Sequence, residues 1–248
     1  MRILIDLKSL KNSAYDLMYN NKLQGFLYNL IKDSPYSFLH DKSGCKFFSF
    51  SNIFPPTDCK EGDIRHLIVS SPDDSFLQTV SDKMEKLYNE HEQINVGDYS
   101  FFIECLSFVR TRMQKSFSLI TGTPIVIRIP KQNYQKYSIQ SDYPYVFWKP
   151  EHSFEAFLKQ LVENVYKKYG EFHKTDLETE PLFQQFVFKK PVVNHVVKNG
   201  KEIKVFGSIW EFPFSYLSRE QQNVLRFGID CGFGELNSLG FGFMNVKK

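Results

Sequence analysis

Arg65-His66-Leu67-Ile68-Val69-Ser70-Ser71-Pro72-Asp73-Asp74-Ser75-Phe76-Leu77 turns a short strand directly into a helix. Arg65–Ser70 reads as the strand. Ser71-Pro72-Asp73-Asp74 carries a capping residue, a proline suited to the first helical position and acids that favour the positive end of the helix dipole. Phe76, Leu77, Val80, Met84, Leu87 and Tyr88 then keep the apolar spacing of a helix face. Outward from this pair, Tyr99–Arg110 reads as a following strand and Lys46–Phe50 as a preceding one. Further back, Leu23, Phe26, Leu27, Leu30 and Ile31 mark a helix that Ser34-Pro35 ends, because the residue before proline is pushed out of the α region. Residues 1–8 make a first strand.

The resulting order, β-α-β-β-α-β, is the split βαβ arrangement of a ferredoxin-like fold. The second half repeats it more loosely. Ile125–Ile129 reads as a strand, and Ser153 caps a helix with Phe154, Phe157, Leu158, Leu161, Val162, Val165, Tyr166 and Tyr169 on one face. Leu182–Phe188 and Lys204–Phe212 follow as strands. Ser218-Arg219-Glu220-Gln221 is a capping box opening a last helix that stops near Gly228, and Phe241–Val246 closes the sheet. The expectation is an α+β protein of two tandem ferredoxin-like domains, 1–113 and 114–248, joined around 112–118.

The composition excludes several classes. The 248 residues include 25 Phe and 13 Tyr, enough to fill a core, but no apolar run long enough to span a membrane. Met1–Leu7 is too short and too charged for a secretory signal. Cys45, Cys59, Cys105 and Cys231 show no metal-binding spacing, and the six histidines are scattered. No metal site or cofactor is expected, and free thiols suit a reducing cytoplasm. Net charge is only +3, distributed as +3 over residues 1–60, −4 over 61–180 and +4 over 181–248. If the two ends meet, they form one basic face; ordinary solvated surface is the plainer account.

Five of the 13 glycines fall between Gly228 and Gly242. The spacing is neither the dinucleotide fingerprint nor a Walker loop. Such a run serves either as a tight connection or as a set of main-chain N–H groups open to phosphate.

Between the first helix and the next strand lie His40 and Lys46, with Tyr28 on the helix beside Leu27 and Ile31. A histidine, a lysine and a tyrosine that converge can cleave RNA without a metal, using the ribose 2′-hydroxyl as nucleophile. Histidine moves a proton near neutrality, lysine stabilises charge on the phosphorane-like transition state, and a phenol donates a hydrogen bond. Taken singly, the histidine reads as surface and the tyrosine as core, so residue types alone leave both accounts open.

Leu23-Gln24-Gly25-Phe26-Leu27-Tyr28-Asn29, then Leu39-His40-Asp41 with Lys46-Phe47-Phe48-Ser49-Phe50-Ser51, then the Gly228–Gly242 run, resemble the CRISPR repeat-RNA processing endoribonucleases, the sixth Cas family, within the wider repeat-associated mysterious protein group. Ser70-Ser71, Thr123-Pro124-Ile125-Val126 and Phe206-Gly207-Ser208-Ile209-Trp210 fall in the same register. The resemblance spans essentially the whole chain. It implies tandem ferredoxin-like domains and metal-independent cutting of CRISPR precursor RNA within each repeat, leaving 2′,3′-cyclic phosphate and 5′-hydroxyl ends. The family's catalytic tyrosine, histidine and lysine fall on Tyr28, His40 and Lys46, with His40 in proton transfer, Lys46 in charge stabilisation and Tyr28 in positioning. Which group is base and which acid is open.

For RNA binding the expectation is the basic C-terminal segment, Lys189, Lys190, Lys198, Lys201, Lys204 and Arg226. It adds Gly232, Gly234, Asn237, Ser238 and Gly240 of the glycine-rich run, whose other reading is domain packing. Asn199-Gly200 between Val197 and Ile203 reads as a hairpin turn that would present its lysines. Arg110, Arg112 and Lys115 are candidates for the same cleft. The expected partner is CRISPR repeat RNA, with a second copy of the chain and a CRISPR effector complex as further candidates, and no membrane. The competing reading is a non-catalytic RNA-binding subunit of an effector complex, disfavoured by the complete His/Lys/Tyr set.

Overall fold

The computed structural model describes residues 1–198 and 200–247, with Lys198 described in its backbone only. The first unit runs β1 (Arg2–Ser9), α1 (Tyr19–Ile31), β2 (Ser49–Phe50), β3 (Ile64–Ser70), α2 (Asp74–Asn89), β4 (Ile94–Val96) and β5 (Tyr99–Val109). Its sheet has the order β2-β3-β1-β5-β4, antiparallel throughout. The second unit runs β6 (Phe117–Thr121), β7 (Arg128–Pro130), β8 (Tyr145–Phe147), α3 (Phe154–His173), β9 (Val187–Lys198), β10 (Lys201–Phe214), α4 (Arg219–Cys231) and β11 (Met244–Lys247). Its sheet order is β11-β6-β10-β9, and β7 pairs with β8 alone. Without the edge strand β4 and the inserted β7/β8 pair, both units are the same ferredoxin-like βαββαβ, each with its first strand between its third and its last.

Amphipathic patterning builds each core. Ile3, Ile5 and Leu7 of β1 point to one side and pack with Leu23 and Leu27 of α1, Phe76 and Leu77 of α2, and Phe101 of β5. Phe157, Leu161 and Val165 of α3 meet Trp210 and Phe212 of β10 and Phe233 in the second unit. Burying each such side chain contributes roughly 1.5–3 kcal/mol. α4 opens on the expected box: Ser218 Oγ accepts from the Gln221 backbone, and the Gln221 side chain returns to the Ser218 N–H.

Several boundaries differ from the sequence expectation. The α2 cap is Asp73, whose carboxylate accepts from the Phe76 N–H at 3.0 Å. Ser71 instead accepts from the Asp73 N–H and donates to the Phe47 carbonyl. The strand expected over Lys46–Phe50 shrinks to Ser49–Phe50, because Phe47 takes a positive φ of 52° and breaks the extended chain. The sheet strand expected at Ile125–Ile129 is Phe117–Thr121 instead; Ile125 and Val126 form only isolated bridges, to Ser208 and Glu235. β9 starts at Val187, after Leu182 and Phe183 have entered the core as irregular chain. Gly228 does not end α4. It lies inside the helix, where the Phe233 ring packs so closely that a Cβ would sit 2.3 Å from it.

Candidate active site

α1 buries Leu23, Leu27 and Ile31 and leaves Tyr28 half-buried at the margin of that stripe. The Tyr28 ring lies edge-on to buried Phe48 at 6.3 Å and to His40 at 5.4 Å. After α1 the chain makes a single 3₁₀ turn, Ser37–Leu39. His40 caps it, with its N–H donated to the Ser37 carbonyl. Lys46 then folds back over Tyr28. Its ammonium stands 4.7 Å above the ring, donates to Tyr28 Oη at 2.7 Å and donates to the His40 carbonyl at 3.1 Å. The three groups expected to act together are therefore gathered at one corner, and the His40 side chain is 68% exposed.

Asp41 adds a fourth group. Its Oδ1 lies 2.6 Å from His40 Nδ1. An ionised carboxylate only accepts, so the Nδ1 proton points to Asp41 and Nε2 is left as the accepting nitrogen. Sequence reasoning quoted Asp41 within the motif but gave it no role. An ammonium has three N–H donors. Two of those on Lys46 are used internally, and the third has no partner among the described residues.

The glycine-rich run lies behind this corner. Gly232 and Gly240 pack onto β2: an added Cβ would stand 3.0 Å from Ser49 Cβ and 2.4 Å from the Phe50 ring. Gln24 and Asn20 of α1 donate to the carbonyls of Ser238 and Leu239, each at 2.9 Å. Lys168 of α3, only 4% exposed, donates to the Gly232 carbonyl at 2.6 Å, the Gly234 carbonyl at 2.9 Å and Asn237 Oδ1 at 3.0 Å. The Asn237 amide is spent on the Phe233 and Phe241 carbonyls. Gly232, Gly234, Asn237 and Gly240 are buried and Ser238 is half-buried. The run thus braces β2 and α1 from inside the protein, and these buried positions do not present their N–H groups to solvent. Lys168 escaped the sequence reading, although a lysine in register with Leu161 and Val165 on an apolar helix face was the available signal.

Two thiols meet beside the same corner. Cys45, next to Lys46, lies 3.9 Å from Cys231 at the end of α4. The hydrogen bond from Cys231 draws the Cys45 thiol pKa down against partial burial, with help from the Lys168 ammonium, while burial pushes Cys231 up.

The expected basic residues do not form a single patch. β9 and β10 make a hairpin, whose turn residue Asn199 lies outside the described residues, as does the Lys198 side chain. Lys201 and Lys204 are exposed near its tip. The tip is docked on α1: Asn21 donates to the Val197 carbonyl at 2.8 Å and accepts from its N–H at 2.7 Å. At 1.5 Å rise per residue, Asn21 lies about 10 Å along α1 from Tyr28. Lys189 and Lys190 sit near the far end of β9, about 23–26 Å from Val197 at 3.3 Å per residue. Lys189 is paired with Glu211 at 2.9 Å, and Lys190 is exposed. Arg226 occupies a third place on α4, in a shallow groove with Arg110 and His173.

The chain is similar to known proteins along its whole length. The profile described as CRISPR associated protein Cas6, C-terminal, matches residues 109–246. A CRISPR-associated endoribonuclease Cas6 of Methanocaldococcus jannaschii is 30% identical over 261 residues, covering all of both chains. One of Haloferax mediterranei is 28% identical over 259 residues, covering all of this chain and 94% of the relative. A solved structure titled CRISPR associated protein Cas6 superposes with a TM-score of 0.72 at 21% identity, covering 100% of this chain and 99% of the other. With the site geometry and these full-length matches together, the chain belongs to the Cas6 family of CRISPR-associated endoribonucleases.

Proposed function

We propose that the chain cuts CRISPR precursor RNA within its repeats without a metal, generating crRNAs. The 2′-oxygen attacks the adjacent phosphorus, the bond from phosphorus to the 5′-oxygen breaks, and the products carry a 2′,3′-cyclic phosphate and a 5′-hydroxyl. The 2′-hydroxyl gives up one proton and the leaving 5′-oxygen takes one, so proton count is conserved. His40 Nε2 is the group that moves a proton, with Asp41 holding the tautomer at Nδ1. The Lys46 ammonium faces the non-bridging oxygens, where charge builds in the transition state, and Tyr28 fixes that ammonium. One observation carries this reading: Lys46 Nζ is held between Tyr28 Oη at 2.7 Å and the backbone carbonyl at 3.1 Å of His40, whose imidazole is exposed.

In this proposal residues 1–113 form the catalytic domain and 114–248 the RNA-holding domain. Phosphate contacts position the substrate. The hairpin tip, with Lys198, Lys201 and Lys204, is the favoured supplier because it is docked on the helix that carries Tyr28. Lys190 and Arg226 would serve outlying RNA, Lys189 is occupied by Glu211, and the glycine-rich run supports the corner rather than lining it. A cytoplasmic setting, a homodimer and transient association with a CRISPR effector complex belong to the proposal as well. The test is a labelled repeat RNA incubated with the protein in EDTA, with the product ends identified. Cyclic-phosphate and 5′-hydroxyl ends are expected. Activity that disappears in EDTA and returns with magnesium would contradict the chemistry.

A further inference from the structure

The loop joining β7 to β8, β8 itself, the chain entering α3 and the first half of β10 line a groove of about 910 Å³. Tyr143 stands at its edge, 73% exposed. The backbone beneath that ring is held: the Tyr143 carbonyl accepts from Tyr134 Oη at 3.1 Å, and its N–H donates to Ser141 Oγ at 3.2 Å. Tyr145 and Phe147 meet edge to face at 5.6 Å, and Phe147 lies 6.3 Å from Phe206 of β10.

Cations lie against two of these rings. Lys149 Nζ is 4.6 Å from the Phe206 centroid, and the Arg128 guanidinium is 4.8 Å from that of Tyr145. Arg128 is itself clamped by the Glu235 carboxylate of the glycine-rich run. The lining holds Lys149 and Lys204 against a single carboxylate, Glu151. Below, Phe147 and Ile203 rest on the small cluster Val126, Val196, Val205 and Phe241, so the floor is rigid and apolar.

We infer that this groove stacks the bases of single-stranded RNA. Aromatic faces beside ammonium groups suit that ligand, since every base has a π-face and every linkage an anionic phosphate. An exposed tyrosine on a fixed backbone offers stacking area at small entropic cost. The location agrees. Ile203 and Lys204 of the lining lie within three residues of Lys201 at the hairpin tip, which is docked on α1 about 10 Å from Tyr28. RNA leaving the cutting corner along the hairpin therefore reaches the groove next. The inference rests on the RNA-cleaving reading only for the identity of the ligand.

The experiment uses an oligouridylate containing one 2-aminopurine, with every ribose 2′-O-methylated so that it cannot be cut. Binding to the intact protein should quench the aminopurine. Tyr143→Ala and Tyr145→Leu should each weaken binding at least fivefold, the lower end of what one stacked base contributes. Tyr143→Trp should restore both affinity and quenching. Unchanged affinity and quenching in the alanine and leucine variants would overturn the inference. So would loss of a co-purifying protein with RNA binding untouched, which would assign the groove to a protein partner. Cleavage of a natural repeat is measured in parallel. Failure of the unaltered protein to cut removes the nuclease reading and leaves the stacking result standing, whereas intact cutting with unaltered probe binding removes the groove alone.

Discussion

Replacing Lys168 with methionine should reveal how much of the active corner depends on the domain behind it. The buried ammonium makes three hydrogen bonds, to the Gly232 and Gly234 carbonyls and to Asn237 Oδ1, at 2.6–3.0 Å. Methionine fills similar volume but donates nothing, leaving three buried acceptors unpaired. Each unpaired acceptor costs about 1–3 kcal/mol. Release of the buried charge returns part of that, so a net loss of about 3–5 kcal/mol is expected, in the range found when one partner of a buried charged contact is removed. Urea unfolding followed by tryptophan fluorescence measures it as a lower midpoint at unchanged slope. Repeat cleavage should fall as well, since the run that Lys168 holds packs against Ser49, Phe50 and Gln24. A stability loss below about 1 kcal/mol would show that the run holds its shape without this lysine, and the reasoning would fail.

Other substitutions probe separate links. Gly240→Ala places a Cβ 2.4 Å from the Phe50 ring at a φ of +84°, so overpacking and left-handed strain should together cost about 2–4 kcal/mol, read as a lower unfolding midpoint; a change under about 0.5 kcal/mol would mean that Phe50 moves freely. Because the Cys45 pKa is lowered, its thiolate persists to more acidic pH than that of a free thiol, and its alkylation by iodoacetamide should have a midpoint clearly below about 8.5. Buried Cys231 should stay unmodified, and an ordinary midpoint for Cys45 would contradict the hydrogen bond between the two sulfurs. Lys201→Ala with Lys204→Ala should reduce the slope of log affinity against log salt by about 1.4, the loss of two single-strand phosphate contacts. An unchanged slope would place the RNA elsewhere.

Much of the architecture was legible because it is local. β1, α1, α2 and the capping box of α4 announce themselves through apolar period and end signals, and both βαββαβ units follow from their order. What was lost depended on contacts between distant residues. Phe47 looks like a strand residue, but it takes a positive φ and packs its ring against Phe172 and Phe227 of the other unit. Gly228 looks like a helix stop, but the space it leaves is filled by Phe233. The β7/β8 insertion stayed hidden because its strands are short and Ile125–Ile129 has the look of a strand. At the site, Tyr28, His40 and Lys46 were named through the motifs that carry the family resemblance, because residue types alone left them open. The clamp by Lys168, the pairing of Cys45 with Cys231 and the dispersal of the basic residues are products of the folded chain.

Single-turnover cleavage of a repeat RNA by His40→Ala, in EDTA and at saturating protein, tests the central claim most directly. The account predicts a rate at least about 100-fold below that of the unaltered protein, the usual contribution of a positioned acid or base, with RNA affinity within a few-fold. Undiminished cutting by the variant, with the same product ends, would take His40 out of the chemistry and contradict the account.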